Sequence, residues 1–253
     1  MKLLRRTVLL LLLLIFVPIA VAVARHLADD SRPTDWRTAS HASAGLAPDP
    51  QRTPEAVIQV YAARAFGWRG AFGVHTWIAA KPSDAKRYTR FEVVGWGVAR
   101  GQDAVRVGEG VPDAQWYGSP PELLRELRGG AEVDRLIERL RQAAKSYPYH
   151  DRYQVWPGPN SNTFIAHLGR QVPELHIDMP PNAVGKDYLP AGGFIAKAPS
   201  GAGVQMSAYG LLGLTVAPEE GLELNLLGLT LGVDVSPLAV KVPGVGRIGA
   251  NAI

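Results

Sequence analysis

A chain of 253 residues, 47% of them apolar, can bury a sizeable core, and 20% charged residues place it among globular rather than disordered proteins. Three units of the +4 formal charge come from Lys2, Arg5 and Arg6, so the rest carries +1; no basic patch interleaved with stacking aromatics speaks for nucleic acid. The absence of cysteine excludes disulfide scaffolds, thiolate zinc sites and cysteine nucleophiles.

The N-terminus, MKLLRRTVLLLLLLIFVPIAVAVAR, sets basic residues before an uncharged run from Thr7 to Ala24. Eighteen residues are at the short end for a helix crossing roughly 30 Å of hydrocarbon. The run from Leu9 to Leu14 has no polar face, which argues against a buried core helix. Residues 1–24 therefore read as an uncleaved membrane anchor, or as a signal segment cleaved near the small residues Ala20 to Ala24. Either exports the remainder, because the basic residues stay cytoplasmic. The expected partner is the inner (plasma) membrane, met through residues 7–24, with the bulk of the chain periplasmic or extracytoplasmic. Residues 25–52, rich in Ala, Ser, Pro and Asp without a period, read as a linker.

Residues 53–190 read as an α+β domain. The segments 56–63, 74–80 and 88–98 are β-branched and aromatic-rich and are separated by turn segments, which predicts an antiparallel meander of three strands. SPPELLRELRGG, residues 119–130, predicts a helix with Ser119 as N-cap, Glu122 three residues later and a glycine stop. The next stretch, 131–147, places Val133, Leu136, Ile137, Leu140, Ala143 and Ala144 on one helical face. A proline-glycine-proline corner then leads into a helix over 161–170. Residues 191–253 read as a Gly/Leu-rich β subdomain or sheet extension. There LLGLT occurs at 211–215 and again at 226–230, and a turn at Pro218–Gly221 makes the pair a hairpin. So much Leu and Gly near an anchor would also suit an apolar groove.

The six histidines show no HxxxH or HExxH spacing, no acidic cluster has EF-hand spacing, and GWRGAFG lacks the lysine and helix of a phosphate loop. No metal or cofactor is expected. GPNSNTF is not the GxSxG elbow of α/β-hydrolases. What remains is His75 on a strand and Ser161 at a helix start. There the free N–H groups could receive developing negative charge, with the imidazole as base and Glu92 on the next strand orienting it. Asn160 or Asn162 would donate to the oxyanion, and Arg69, with Arg64 and Trp68, would line the cleft. Each has a plainer reading: Ser161, Asn160 and Asn162 as cap and turn residues, His75 as a hydrogen-bonded core histidine, and the arginines and Trp68 in a solvated loop. Trp77 and Trp96 read as core, and His150 and His167 as exposed.

The order of a strand histidine, then Tyr153, then Asn160-Ser161-Asn162-Thr163-Phe164, resembles the circularly permuted papain-like fold of the NlpC-related and lecithin retinol acyltransferase-like families. That resemblance spans roughly residues 56–170. It implies a hydrolase or acyl/amide-transferase site in which serine stands where cysteine is usual. A thiol near 8.5 is readily made a thiolate, whereas a serine hydroxyl needs its base in direct contact. The phrases WRTASHASAGL, RAFGWRGAFGVHTWIA, WPGPNSNTF, GKDYLP and GLLGLT…EEGLELNLLGLT are similar to a bacterial membrane-associated family, domain of unknown function 3750, which implies localisation and no mechanism. The combined expectation is an exported, membrane-anchored envelope protein. It has an N-terminal membrane helix, an antiparallel sheet packed with helices in the permuted papain-like manner, and a β-rich C-terminal part. Ser161, His75 and Glu92 would form its site. The alternative is a catalytically inactive envelope binding or structural protein of the same fold, holding a peptidoglycan peptide or lipid.

Overall fold

Strand β1 (Ala56–Arg64) pairs antiparallel with β2 (Val74–Lys81), from Val57 opposite Lys81 to Arg64 opposite Val74. β2 in turn pairs with β3 (Thr89–Val93). The computed structural model describes residues 2–30 and 32–249. β3 ends earlier than its apolar run predicts. Gly95 packs so tightly on the Tyr153 ring that a Cβ would lie 2.5 Å from it, and Gly97 takes a left-handed φ of +100°. A strand that the sequence did not announce, β4 (Val105–Glu109), joins the outer side of β3.

The expected helix at 119–130 is instead strand β5 (Glu122–Gly129), lying along β1 with Leu127 opposite Ile58. The physical reason is the free edge of β1. Pairing satisfies a whole row of its N–H and C=O groups, whereas an N-cap contributes about 1 kcal/mol. Gln59 Nε2 donates to Glu126 across this seam at 2.5 Å. The five-stranded sheet thus runs β4-β3-β2-β1-β5.

Helices α2 (Ala131–Lys145) and α3 (Ser161–Gln171) cover one face of it, as their apolar periodicity predicts. Ile58, Val60, Ile78 and Phe91 meet Ile137, Leu140, Phe164 and Leu168 there. His167, expected to be exposed, is buried on α3, with Nε2 3.1 Å from Ala143 O and 3.2 Å from Ser146 Oγ. The other face buries Val57, Tyr61, Trp77 and Tyr88, with Trp116 and Ala47 packed over them. Ala47 belongs to the segment read as linker. The Asp113 carboxylate pins it by accepting from Ser43 Oγ at 2.7 Å and from the N–H groups of Leu46 and Ala47 at 2.6 and 3.1 Å.

A second, seven-stranded antiparallel sheet follows chain order. Its strands are β6 (Ile195–Ala196), β7 (Val204–Ala208), β8 (Leu212–Ala217), β9 (Gly221–Leu226), β10 (Leu229–Val235), β11 (Leu238–Val242) and β12 (Gly246–Gly249). The predicted hairpin is β8–β9, with Ala217 opposite Gly221. The second LLGLT is not a strand of its own: it straddles the β9–β10 turn, where Leu227 and Gly228 have φ of 55° and 89°. The inner face of this sheet is polar. Lys241 Nζ lies 2.8 Å from Glu223, 2.6 Å from Asp178 and 3.0 Å from Asp234, and Lys186 also pairs with Glu223.

Helix α1 (Lys2–Leu27) docks by its C-terminal end. Ala22 is buried, and a Cβ on Gly244, in the β11–β12 turn, would come within 3.0 Å of the Ala22 methyl. Among the described residues no helix is long and apolar enough to cross a membrane, a statement that omits the side chains of positions 7, 8 and 10–12 inside the uncharged run.

Candidate functional site

The corner before α3 passes through two cis peptides, Trp156–Pro157 and Gly158–Pro159, with Gly158 at φ +140°. Asn160, not Ser161, then caps the helix. Its side chain accepts from Asn162 N at 3.0 Å and Thr163 N at 3.2 Å, while Thr163 Oγ1 accepts from Asn160 N at 3.1 Å. Ser161 therefore occupies the first helical position with neither its hydroxyl nor its own N–H used by the cap. The side-chain donors of Asn160 and Asn162 are spent on the scaffold. Asn160 Nδ2 reaches Val155 O and Val184 O, and Asn162 Nδ2 reaches Val74 O and Val184 O at 3.0 and 2.7 Å. Neither amide is left to donate to an oxyanion, although both residues line the cleft.

Gly185 makes this cap possible. Its φ is +100°, and a Cβ on it would sit 2.4 Å from Asn160 Nδ2. Gly185→Ala is expected to cost about 2–3 kcal/mol, adding left-handed strain to loss of the cap. Thermal unfolding checks this; an unchanged midpoint would show that the cap re-forms elsewhere.

His75 is buried and its Nε2 lies 3.2 Å from Glu92 Oε2, on the neighbouring strand as expected. Arg90 Nη2 donates to the same oxygen at 2.8 Å. Burial lowers the His75 pKa below 6.5 against the opposing pull of Glu92. Burial would raise Glu92, but His75 and Arg90 hold it below the usual carboxylate range. The pair thus rests as neutral imidazole and carboxylate, so Nε2 carries the hydrogen donated to Glu92 and Nδ1 the free lone pair. The ring stacks face to face on Trp116, with centroids 3.5 Å apart and planes 9° apart.

Strand parity complicates the pairing. His75 shares its face with Trp77, away from the helices, and the residue that reaches α3 is Thr76, whose Oγ1 donates to Asn162 Oδ1 at 2.9 Å. No hydrogen bond joins Ser161 to His75 among the described residues. The two meet instead as walls of one cavity of about 1080 Å³, His75 being the second residue of β2 and Ser161 the first of α3. Arg69 and Trp68, from the turn Gly67–Ala71, line this cavity. So does Trp96, half-exposed rather than core, together with Trp156 and Leu227. Arg64 is used elsewhere, donating to Gly70 O, Gly244 O and Val245 O. Among the described residues no group of three His, Asp or Glu side chains could hold a metal ion. The sequence could not have singled out Trp116 or Tyr117, since nothing local marks a loop aromatic as a lid for a histidine 41 residues upstream.

An α+β domain that presents a helix-start serine and an acid-bound histidine to one aromatic cavity defines the class of protein. The chain belongs to the family described as protein of unknown function DUF3750, whose model matches residues 55–188. The match covers the first sheet, α2, α3 and both His75 and Ser161, while Leu227 of the cavity lining lies outside it. No curated protein and no solved structure matches the chain.

Proposed function

We propose that this is an exported cell-envelope protein, held in the inner membrane by residues 7–24, whose cavity carries a papain-like hydrolase or acyl/amide-transferase site with serine in the nucleophile's place. The supporting observation is the Glu92-bound His75 lining the same cavity as a Ser161 that the cap leaves free. Nδ1 of His75 takes the Ser161 proton as Oγ attacks an acyl carbon, and Glu92 stabilises the imidazolium that forms. The oxyanion is received by the uncommitted Ser161 N–H at the positive end of α3. His75 then returns the proton to the leaving group, and water or an acceptor attacks the acyl-serine. Hydrogen-bond contact between Ser161 and His75 is made on substrate binding, as catalytic contacts often tighten only then.

A fluorophosphonate probe is expected to modify the wild-type protein at Ser161 and to leave Ser161→Ala unlabelled. Failure to label a folded wild-type protein would overturn the catalytic reading. The base acts as the neutral form, so the labelling rate is full above the folded-state pKa and is lost as pH falls through it. The acid limb therefore lies below pH 6.5. Stability follows the same sign: the unfolded imidazole takes up its proton first, so the contribution of neutral His75 is lost as pH drops below 6.5. A limb above 6.5 would show a His75 held as a cation.

A second reading is a binding module without turnover, for a lipid or peptidoglycan peptide. The placement of His75 on the sheet face away from α3 favours it. It predicts ligand retention that survives Ser161→Ala.

A further inference from the structure

The second sheet has its alternation reversed. In a soluble sheet packed on one side, apolar residues face the domain and polar ones face water. Here Gln205, Thr215, Glu223, Asn225, Asp234 and Lys241 point inward and are buried. Val204, Val216, Leu222, Val233, Leu238 and Val240 point outward and are 42–71% exposed. In register these outer residues stand beside one another, Val204 opposite Val216 and Val216 opposite Leu222. Val233 likewise stands opposite Leu222 and Val240. No strand residue on this outer face carries a charge or a hydrogen-bonding side chain among the described residues. The inner charges are committed to one another through Lys241, Glu223, Asp234 and Arg247, which holds the polar side inward.

We infer that this outer face is seated on a lipid bilayer, its side chains dipping into the hydrocarbon boundary; which membrane it meets rests on the anchor reading above. Apolar-out, polar-in alternation is the pattern of strands that face lipid. A specific protein partner would ask for about one hydrogen bond per 100–200 Å², and among the described residues no strand side chain of this face supplies one. Continuity with the anchor supplies the second argument. The β9–β10 and β11–β12 turns lie at the same end of the sheet, and α1 packs against Gly244 in the latter. Trp156, which donates to Leu227 O at 2.8 Å, and the exposed Trp68 stand at that end, the residue type that favours membrane interfaces. The sheet is open, with β6 and β12 at its edges. Unpaired backbone groups at those edges exclude insertion through the bilayer, so the sheet lies on it.

The chain has no cysteine, so single cysteines report cleanly. In the full-length protein reconstituted in phosphatidylethanolamine/phosphatidylglycerol vesicles, Val216→Cys, Leu222→Cys and Val233→Cys are labelled with an environment-sensitive fluorophore. Leu14→Cys in α1 and Lys86→Cys, exposed on the first domain, serve as references. The expected result is a blue shift and quenching by doxyl-lipid at the three sheet positions, and neither at position 86. Quenching at position 14 with aqueous emission from the sheet overturns the proposal and leaves the anchor standing. Quenching on the sheet but not at position 14 keeps the proposal and removes the anchor. A blue shift without lipid quenching, with label-to-label coupling between molecules, would assign the face to a second copy and overturn it.

Discussion

His75→Asn is expected to slow acylation of Ser161 by about 10⁴-fold, the scale seen when a member of a nucleophile–base–acid unit is removed. The reason is local. The Ser161 hydroxyl sits at the first position of α3, where the Asn160 cap has already used the N–H groups of Asn162 and Thr163. The helix end can stabilise an oxyanion but cannot by itself ionise an alcohol. The proton must go to Nδ1 of His75, whose lone pair is available because Nε2 is committed to Glu92. Glu92→Gln removes the counter-charge for the imidazolium and slows the reaction in the same direction, by less, since the base remains. Fluorophosphonate labelling rates measure both variants against wild type, with near-ultraviolet dichroism confirming that the packing of Trp77 and Trp116 is kept. A rate within about tenfold of wild type in His75→Asn would remove His75 from the mechanism.

Lys241→Met is expected to destabilise the protein by about 3–5 kcal/mol, because it strips the shared cation from the buried Glu223 and Asp234 and from the half-buried Asp178. Burial would lower the Lys241 pKa, but Glu223 and Asp178 hold it well above the ordinary lysine range. Without it, Glu223 keeps Lys186 and Asp234 keeps Arg247, while Asp178 loses the one ion-pair partner it has among the described residues. Burial already pushes Asp178 up to about 7, with Lys241 pulling the other way, so in the variant it protonates more readily still. For a raised carboxyl the sign is that stability falls as pH rises from about 4 towards 7. The variant should therefore lose more at pH 8 than at pH 5. A midpoint lowered by roughly 10 °C in calorimetry is the expected size. Adding Asp178→Asn should return part of the loss, since it removes the stranded acid. A single variant that loses less than about 1 kcal/mol would mean the inner face is hydrated rather than closed.

Much of the first domain was legible in the sequence, and the rest was not, for identifiable reasons. β1, β2, α2 and α3 were readable because β-branched runs and the spacing of Val133, Ile137 and Leu140 are local signals. Residues 119–130 misled because their capping pattern is also local, while the edge of β1 that claimed them lies some sixty residues earlier. His75 and Ser161 could be picked out by type and order along the chain. Which face of β2 the imidazole takes could not, because one residue of register exchanges His75 for Thr76. The roles of Asn160 and Asn162 went the same way: both are capping types, but only Val74 O, Val155 O and Val184 O decide where their amides donate.

The C-terminal strands show the division most plainly. Their alternation of Val and Leu with polar residues is written in the sequence and determines that one face is apolar and the other polar. Alternation carries no sign, however: it cannot say which face meets the domain. That was decided by Lys186 and Asp178, which arrive on the loop after α3 and offer charges for Glu223 and Lys241 to bind. Only their tertiary placement turns the polar face inward and leaves the leucines and valines outside.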